Sequence, residues 1–289
     1  MLRFSARRLF VCLLLSSIGT VDAALAQDRR GDTDTSTCAG HSYEEAIAAC
    51  TRLLSSRSLT DRARARTHTS RGIAYRHTGK YDAAIKDFDI AIQLAPKIAR
   101  AYTARGWTYY YKGDLDRTQA DADKLISLNG DVASGYDLRA AVLADRGDYL
   151  GALNASDNAI RLRPDDPILY SNRCARKIAA DQLKEAWADC DKSVQLDPKR
   201  TQAHTFIGIV YLKIGQPDDA IKEFNTVLSN KSPEGRVNAY ALYGRGLAKL
   251  ALGDSAGNAD VAEADALDPV IARRYAARYR LTPGGEARR

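Results

Sequence analysis

Apolar residues along this chain fall into pairs of segments with helical spacing, and a short polar break separates the two segments of each pair. Between residues 65 and 98, Ile73 lies on the first segment, and Ala84 and Phe88 lie four residues apart on the second. Intervals of three and four residues place side chains on one face of an α-helix. Gly79, in the break, lacks a Cβ atom and can end the first helix with a positive φ. The pattern therefore predicts an antiparallel helical hairpin.

The hairpin pattern returns every 34 residues, in windows that begin at residues 65, 99, 133, 167 and 201. The eighth residue of each window is small, and from the first window to the fifth it is Gly72, Gly106, Ala140, Cys174 and Gly208. Glycine recurs in the break at Gly79, Gly113, Gly147 and Gly215. Proline, which cannot continue a helix, follows the second segment at Pro96, Pro164 and Pro198. A fixed period of this length is typical of stacked copies of one supersecondary unit.

These residues resemble the tetratricopeptide repeat. The segment Ser70–Tyr75, followed by Tyr81–Phe88 and closed by Pro96, is close to the family pattern. The resemblance covers five units and a shorter sixth, at residues 65–98, 99–132, 133–166, 167–200, 201–234 and 239–269. It implies an all-α fold, a right-handed superhelical solenoid of antiparallel helix pairs.

The two ends of the repeat region have their own patterns. Residues 27–64 form a polar leader that includes a helical segment at Tyr43–Leu54, which we interpret as part of an N-terminal capping half-repeat. Residues 270–289 are predicted to be a capping helix and tail, in which Tyr275 and Tyr279 belong to an apolar stripe beside four arginines. A helix that lies on a membrane surface is the alternative for this last segment.

Residues 1–26 have the pattern of a secretory signal peptide. Three arginines precede an apolar run from Leu9 to about Ile18, and Ala24 and Ala26 provide small side chains for a cleavage site. The apolar run has about 10 residues, against the roughly 20 that a membrane-spanning helix needs. We therefore expect a periplasmic or secreted protein with no stable membrane span after cleavage. The sequence leaves the general secretory and twin-arginine routes open.

The charge of the chain excludes one class of partner. The full chain has 43 basic and 36 acidic side chains, and residues 1–26 hold three of the former and one of the latter, so cleavage lowers the net charge from +7 to +5. The two signs are interspersed, as on a solvated helical surface. A nucleic-acid-binding face would show a concentrated basic patch. The sequence therefore predicts no nucleic-acid partner.

Four cysteines follow the predicted signal, and an even number in an exported protein suggests disulfide pairs. Cys174 and Cys190 stand eighth and twenty-fourth in their window, at places that face each other if the two helices mirror about the turn. This predicts a Cys174–Cys190 disulfide and leaves Cys38 and Cys50 as the second pair. The alternative is that Cys174 and Cys190 are buried free thiols in place of the glycine and phenylalanine of other windows.

An arginine precedes the small eighth residue in five units, at Arg71, Arg105, Arg139, Arg173 and Arg245. The same mirror relation predicts that carboxylates of the same hairpins lie opposite, at Asp89, Asp123, Asp157 and Asp191. We interpret this ladder as structural, because arginine stems cover apolar surface while their guanidinium groups pair with carboxylates. The alternative is a row of cations that holds an acidic ligand.

The chain shows no catalytic constellation. Its four histidines are scattered without the spacing of metal ligands. No glycine loop that could cradle phosphate is present, since the repeat accounts for the glycines. The sequence therefore predicts a protein that is not an enzyme and needs no metal or cofactor.

The resemblance also implies a binding surface, because first helices in the family line a concave groove that holds peptide segments of partners. The matching residues here are Arg66, Thr69, Ile73, Arg76, His77, Arg100, Thr103, Trp107, Tyr110, Tyr111, Asp137, Ala141 and Asp145. Trp107, Tyr110 and Tyr111 are the strongest candidates, since aromatic side chains dominate interface energies. The alternative is that Trp107 and Tyr110 pack against the adjacent repeat.

We therefore expect an exported, non-enzymatic scaffold that binds a protein or peptide partner through this groove. Binding of an envelope polymer or glycan by the same residues is the second hypothesis, because aromatic rings stack on sugars and arginines attract anions. The partner's identity and the oligomeric state do not follow from the sequence.

Overall fold

The computed structural model describes residues 37, 38, 40, 42–56, 58–129, 131–230, 235–267, 277 and 279. The predicted signal peptide lies outside the described residues, as do residues 27–36 of the polar leader and all of the predicted C-terminal cap except residues 277 and 279. Within the described residues all regular secondary structure is helical, in 13 α-helices. None of these helices has both the length and the apolar character needed to cross a membrane.

We number the helices in chain order. They are α1 (Tyr43–Ser55), α2 (Asp61–His77), α3 (Tyr81–Leu94), α4 (Ala99–Lys112), α5 (Leu115–Leu128), α6 (Val132–Asp145), α7 (Tyr149–Leu162), α8 (Pro167–Ala179), α9 (Leu183–Leu196), α10 (Thr201–Lys213), α11 (Pro217–Ser229), α12 (Gly235–Ala251) and α13 (Gly257–Leu267). The predicted all-α fold of helix pairs is confirmed. Each even-numbered helix from α2 to α12 is the first of a pair, and the odd-numbered helix after it is the second.

The chain forms two compact units, residues 1–108 and residues 109–289, and the boundary falls within α4. In the first unit α1 packs on α2, and α2 packs on α3. In the second unit each helix from α5 to α12 packs on the helix that follows it. The first helices of neighbouring pairs also touch, α6 with α8, α8 with α10 and α10 with α12. These four first helices therefore form one layer of the second unit, the first-helix layer.

Polar side chains fix where several helices begin. Asp114, Asp131, Asp148 and Asp166 each accept a hydrogen bond from a backbone N–H in the first turn of the next helix. The first N–H groups of a helix have no partner within it, so such caps stabilise the start by about 0.5–2 kcal/mol each.

The turns between paired helices need a left-handed residue. Gly79, Gly113, Gly147 and Gly215 have φ values of 75°, 81°, 84° and 75°, as the sequence predicts. The fourth repeat has Asp181 at this place, with φ at 62°. Aspartate tolerates this region better than most residues with a Cβ atom, but glycine adopts it without steric cost.

Close helix packing explains the small eighth residue. A Cβ atom added at Gly72 would lie 2.6 Å from Cε1 of Phe88, and one at Gly208 would lie 2.7 Å from Cε1 of Phe224. Both phenylalanines are fully buried. The ring of the second helix therefore rests directly on the glycine of the first helix, and a larger residue there would force the pair apart.

Candidate interaction surface

Helix α4 carries the predicted aromatic residues. Tyr111 is 36% exposed, while Trp107 and Tyr110 are half-buried. Trp107 belongs to the first unit, and the two tyrosines belong to the second. The rings of Tyr110 and Tyr111 have centroids 5.9 Å apart and planes inclined by 62°, an edge-to-face pair. The structure therefore brings these two tyrosines together at the end of a first helix.

The remaining candidates of the first unit lie on α2 and α4. Arg66 and Arg100 are exposed, and Thr103 is half-buried. Arg76 and His77 contact each other, with Nη2 of the arginine 3.1 Å from Nε2 of the imidazole. The His77 ring also stacks on Tyr43 of α1, with centroids 4.3 Å apart and planes within 1° of parallel. Helix α1 therefore already covers part of the α2 side that the resemblance assigns to partners.

Three predicted residues are not available to a partner, and one of them is Ala141, which is 4% exposed. Thr69 is 1% exposed, and its hydroxyl donates to the carbonyl oxygen of Ala65 at 2.8 Å. Asp137 is 3% exposed and forms an ion pair with Arg176 of α8 at 2.8 Å. Asn172 donates to the other carboxylate oxygen of Asp137 at 2.7 Å. Thr69 and Asp137 thus stabilise the array itself, whereas Asp145 is exposed on α6.

The arginine ladder exists, but its register differs from the prediction. Arg105, Arg139 and Arg173 pair with Asp89, Asp123 and Asp157, each 2.6 Å away and each in the preceding repeat. The prediction that these carboxylates serve the arginine of their own hairpin is wrong. Asp191 accepts a hydrogen bond from Gln195 at 2.6 Å, and the next repeat has Ile207 in place of the arginine.

Within their own repeats, Arg71 and Arg173 pair with a different carboxylate, two residues earlier than predicted. Arg71 forms two hydrogen bonds of 2.8 Å with Asp87. Arg173 forms bonds of 2.7 and 2.6 Å with Asp189. Burial alone would raise the pKa of Asp87, but hydrogen bonds from Arg71 and His68 hold it below its usual range. Because all five ladder arginines have acidic or amide partners, the alternative of a cation row for a ligand has no support from their geometry.

Two histidines that are far apart in the sequence occupy one repeat position. His68 and His204 are both fourth in their windows, where the repeats between them have tyrosine. Nδ1 of His68 lies 2.8 Å from Asp87, and Nδ1 of His204 lies 2.7 Å from Glu223. The hydrogen bond to Glu223 raises the pKa of His204 although burial opposes it. Aligning the windows by position would have revealed both pairs.

Comparison with protein families agrees with the helix pairs. Models of the family described as "Tetratricopeptide repeat" match residues 65–98, 99–132 and 207–271. Consecutive short helix pairs packed in series define a helical repeat protein. The three matches make this chain a tetratricopeptide repeat protein, and such repeats imply a scaffold for protein–protein interaction. Proteins of this kind are generally not enzymes.

Curated relatives share short stretches with the chain. The TPR repeat-containing thioredoxin TTL4 of Arabidopsis thaliana is 38% identical over 72 residues, which are 25% of this chain and 11% of that protein. The Protein STIP1 homolog of Dictyostelium discoideum is 34% identical over 74 residues, 26% of this chain and 13% of that protein. The chain therefore spans about a tenth of the length of these relatives, and the similarity concerns the repeats.

Solved structures show the same fold. A thermophilic TPR protein of Thermus thermophilus matches with a TM-score of 0.57 and 17% identity, over 62% of this chain and 98% of that one. A tetratricopeptide repeat protein from Parabacteroides merdae matches with a TM-score of 0.59 and 14% identity, over 82% of this chain and 92% of that one. At these identities the similarity is one of fold alone.

Proposed function

We propose that this protein is an exported scaffold that binds a protein or peptide partner on the face of its first helices. The observation that carries the proposal is the aromatic end of α4, where Tyr111 is 36% exposed beside Tyr110. Aromatic side chains bury a large area at low entropic cost, so they serve as anchors in interfaces. In the first unit Arg66 and Arg100 are exposed, and their charge suits an acidic segment or a chain terminus.

Export is the second part of the proposal. Its support is the signal pattern of residues 1–26 and the placement of the cysteines. The Cα atoms of Cys174 and Cys190 lie 5.5 Å apart, and those of Cys38 and Cys50 lie 4.9 Å apart. Disulfides require Cα separations of about 4.4–6.8 Å. We propose two disulfides that form in an oxidising compartment.

The partner surface is tested with the double variant Trp107→Ala, Tyr111→Ala. It should weaken capture of partners from an envelope extract by about tenfold or more, because loss of an anchor typically costs above 1 kcal/mol. Trp187→Ala is the matched control, since Trp187 is 41% exposed and lies on a second helix. Circular dichroism checks that each variant stays folded. Unchanged capture by the folded double variant would show that this surface does not bind the partner.

Protease treatment of the extract separates a protein partner from an envelope glycan or polymer. Capture that survives proteolysis would favour the glycan. Export itself is tested by cell fractionation and by N-terminal sequencing of the mature protein, which should begin close to residue 27. An uncleaved protein in the cytoplasmic fraction would contradict that part of the proposal.

A further inference from the structure

Tyr279, near the end of the chain, reaches back to the first-helix layer of the second unit. It is 3% exposed. Its ring meets Phe206 of α10 edge to face, with centroids 6.1 Å apart. Its main-chain carbonyl oxygen lies 3.3 Å from Nζ of Lys213 on the same helix. Phe206 and Lys213 are seven residues apart, which places them on one face of α10.

This face is the one that the repeat pattern assigns to partners. Lys213 is thirteenth in its window, the place that His77, Tyr111 and Asp145 hold in earlier windows. A capping helix would be expected to cover the last pair, α12 and α13. Tyr279 contacts α10, the first helix of the pair before, and belongs to the same buried apolar cluster as Val237 and Ala241 of α12. Tyr279 therefore lies where a side chain of a bound partner would lie on the first-helix layer.

The turn of the fourth repeat supports this contact. Lys213 has a side chain only 9% exposed, and Oδ1 of Asp181 lies 3.0 Å from its ammonium group. Asp181 is the residue that replaces glycine in the left-handed turn position. A glycine there would avoid the steric cost of positive φ but would leave Lys213 without this carboxylate. The aspartate that replaces glycine in this turn therefore orients Lys213, which donates to the carbonyl oxygen of Tyr279.

We infer that Phe206, Lys213 and Asp181 form a subsite for an aromatic side chain of a peptide, and that Tyr279 of the same chain occupies it. The ring of the ligand packs on Phe206, and the lysine donates to the ligand's main-chain carbonyl. The inference rests on the proposed function and specifies the partner as a peptide with an aromatic anchor that displaces Tyr279. Occupation by a tethered residue lowers the apparent affinity for that partner by the fraction of molecules in which the subsite is open.

The direct test uses the full protein and a labelled synthetic peptide with the sequence of residues 270–289. Tyr279→Ala should bind this peptide about tenfold or more tightly than the wild type does, as measured by fluorescence anisotropy, because the subsite is vacated. Adding Phe206→Ala to Tyr279→Ala should abolish the gain. Trp187→Ala should bind like the wild type, and a peptide with alanine in place of Tyr279 and with Tyr275 kept controls for its charge.

A folded Tyr279→Ala protein that binds the peptide no more tightly than the wild type would overturn the inference. Equal binding of the two peptides would overturn it as well, since charge would then explain the association.

A second measurement keeps position 279 aromatic and does not depend on the stability of the alanine variant. A benzophenone amino acid at that position should cross-link to α10 on illumination. The yield should fall in the Asp181→Gly and Lys213→Met backgrounds and stay unchanged in Trp187→Ala. Cross-links that map away from α10 would contradict the assignment.

The two proposals can fail separately. If the peptide binds Tyr279→Ala as expected but the extract yields no protein partner, the subsite stands and the scaffold function fails. If capture depends on Trp107 and Tyr111 but Tyr279→Ala gains no affinity for the peptide, only the subsite fails.

Discussion

In the first repeat Phe88 of α3 rests on Gly72 of α2, whereas the fourth repeat has Cys190 and Cys174 at the same two places. Phe88 and both cysteines are fully buried. The Cα atoms of the cysteines lie 5.5 Å apart, so the helices approach closely at this point in the fourth repeat as well. The fold therefore requires close approach of the two helices here but accepts either an aromatic ring on glycine or a pair of sulfur atoms.

The polar layer beside this position differs between the fourth and fifth repeats. In the fourth repeat Arg173 pairs with Asp157 and Asp189, and Lys177 lies 2.7 Å from Asp189. In the fifth repeat Ile207 replaces the arginine, and His204 pairs with Glu223 instead. One repeat thus uses an arginine and a lysine with two aspartates, while the other uses a histidine whose pKa is raised by its hydrogen bond to Glu223.

The largest expected effect comes from removing the ring that packs on glycine. Phe224→Ala should lower the free energy of unfolding of the second unit by about 3–5 kcal/mol, because it leaves a cavity above Gly208. Urea unfolding followed by circular dichroism measures the loss. Trp187→Ala, at an exposed site, should change it by less than about 0.5 kcal/mol. A similar small change for Phe224→Ala would show that the ring is not essential to the packing.

The fourth repeat should lose somewhat less when its cysteines are removed. If they form a disulfide, Cys174→Ala with Cys190→Ala should cost about 2–4 kcal/mol, and reductant should destabilise the wild type but not this variant. Cys174→Gly with Cys190→Phe, which copies the first repeat, should recover stability and lose the response to reductant. Four free thiols in the denatured, unreduced mature protein would refute the disulfide.

The ladder arginines should differ according to burial. Arg173→Gln should cost about 1–3 kcal/mol, because Asp189 has a side chain only 8% exposed and loses its bidentate partner. Arg139→Gln should cost about 0–1 kcal/mol, since its partner Asp123 is 52% exposed. If the two variants lose equal free energy of unfolding in denaturant, burial does not determine how strongly these ion pairs stabilise the fold.

The smallest effect should be the pH dependence from the fifth repeat. The pKa of His204 is raised in the folded state by its hydrogen bond to Glu223, so the pair stabilises fully below the unfolded-state value near 6.5. That stabilisation is lost as the pH rises through the higher folded-state pKa. The wild type should therefore exceed His204→Gln in stability by more at about pH 5.5 than at about pH 9, with a difference below about 1 kcal/mol.

Thermal melts across this pH range make the comparison. Glu223→Gln should remove the same pH dependence. A gap between wild type and His204→Gln that stays constant with pH would contradict the assignment of the charged pair.

The sequence was sufficient for the features that recur within one hairpin. Helix pairs and turn glycines follow from periodicity, and the approach of Cys174 to Cys190 follows from the mirror relation about the turn. The same relation failed for Asp89 because it describes one hairpin, while this carboxylate turns to Arg105 of the next repeat. Contacts between repeats depend on how closely neighbours pack, which a period alone does not determine.

The candidate surface was predictable only in part for the same reason. The resemblance assigned both Asp137, fifth in its window, and Tyr111, thirteenth in its window, to the groove, yet Asp137 is buried and Tyr111 is exposed. The two residues differ in exposure because Arg176 of the neighbouring helix α8 forms an ion pair with Asp137. The contact of Tyr279 with α10 could not be predicted, because an apolar stripe does not indicate which helix it packs against.

The arginine pairs between repeats also bear on how such a chain can grow by gene duplication. Some repeats have both an arginine at the seventh place and an aspartate at the twenty-fifth, and so contain both partners of the ion pair between repeats. A copy of such a repeat inserted beside it would form this ion pair with the repeat on each side. The first four repeats meet this condition, through Arg71 with Asp89, Arg105 with Asp123, Arg139 with Asp157 and Arg173 with Asp191. Ile207 breaks it at the border after the fourth repeat. New copies should therefore be tolerated before that border more readily than after it.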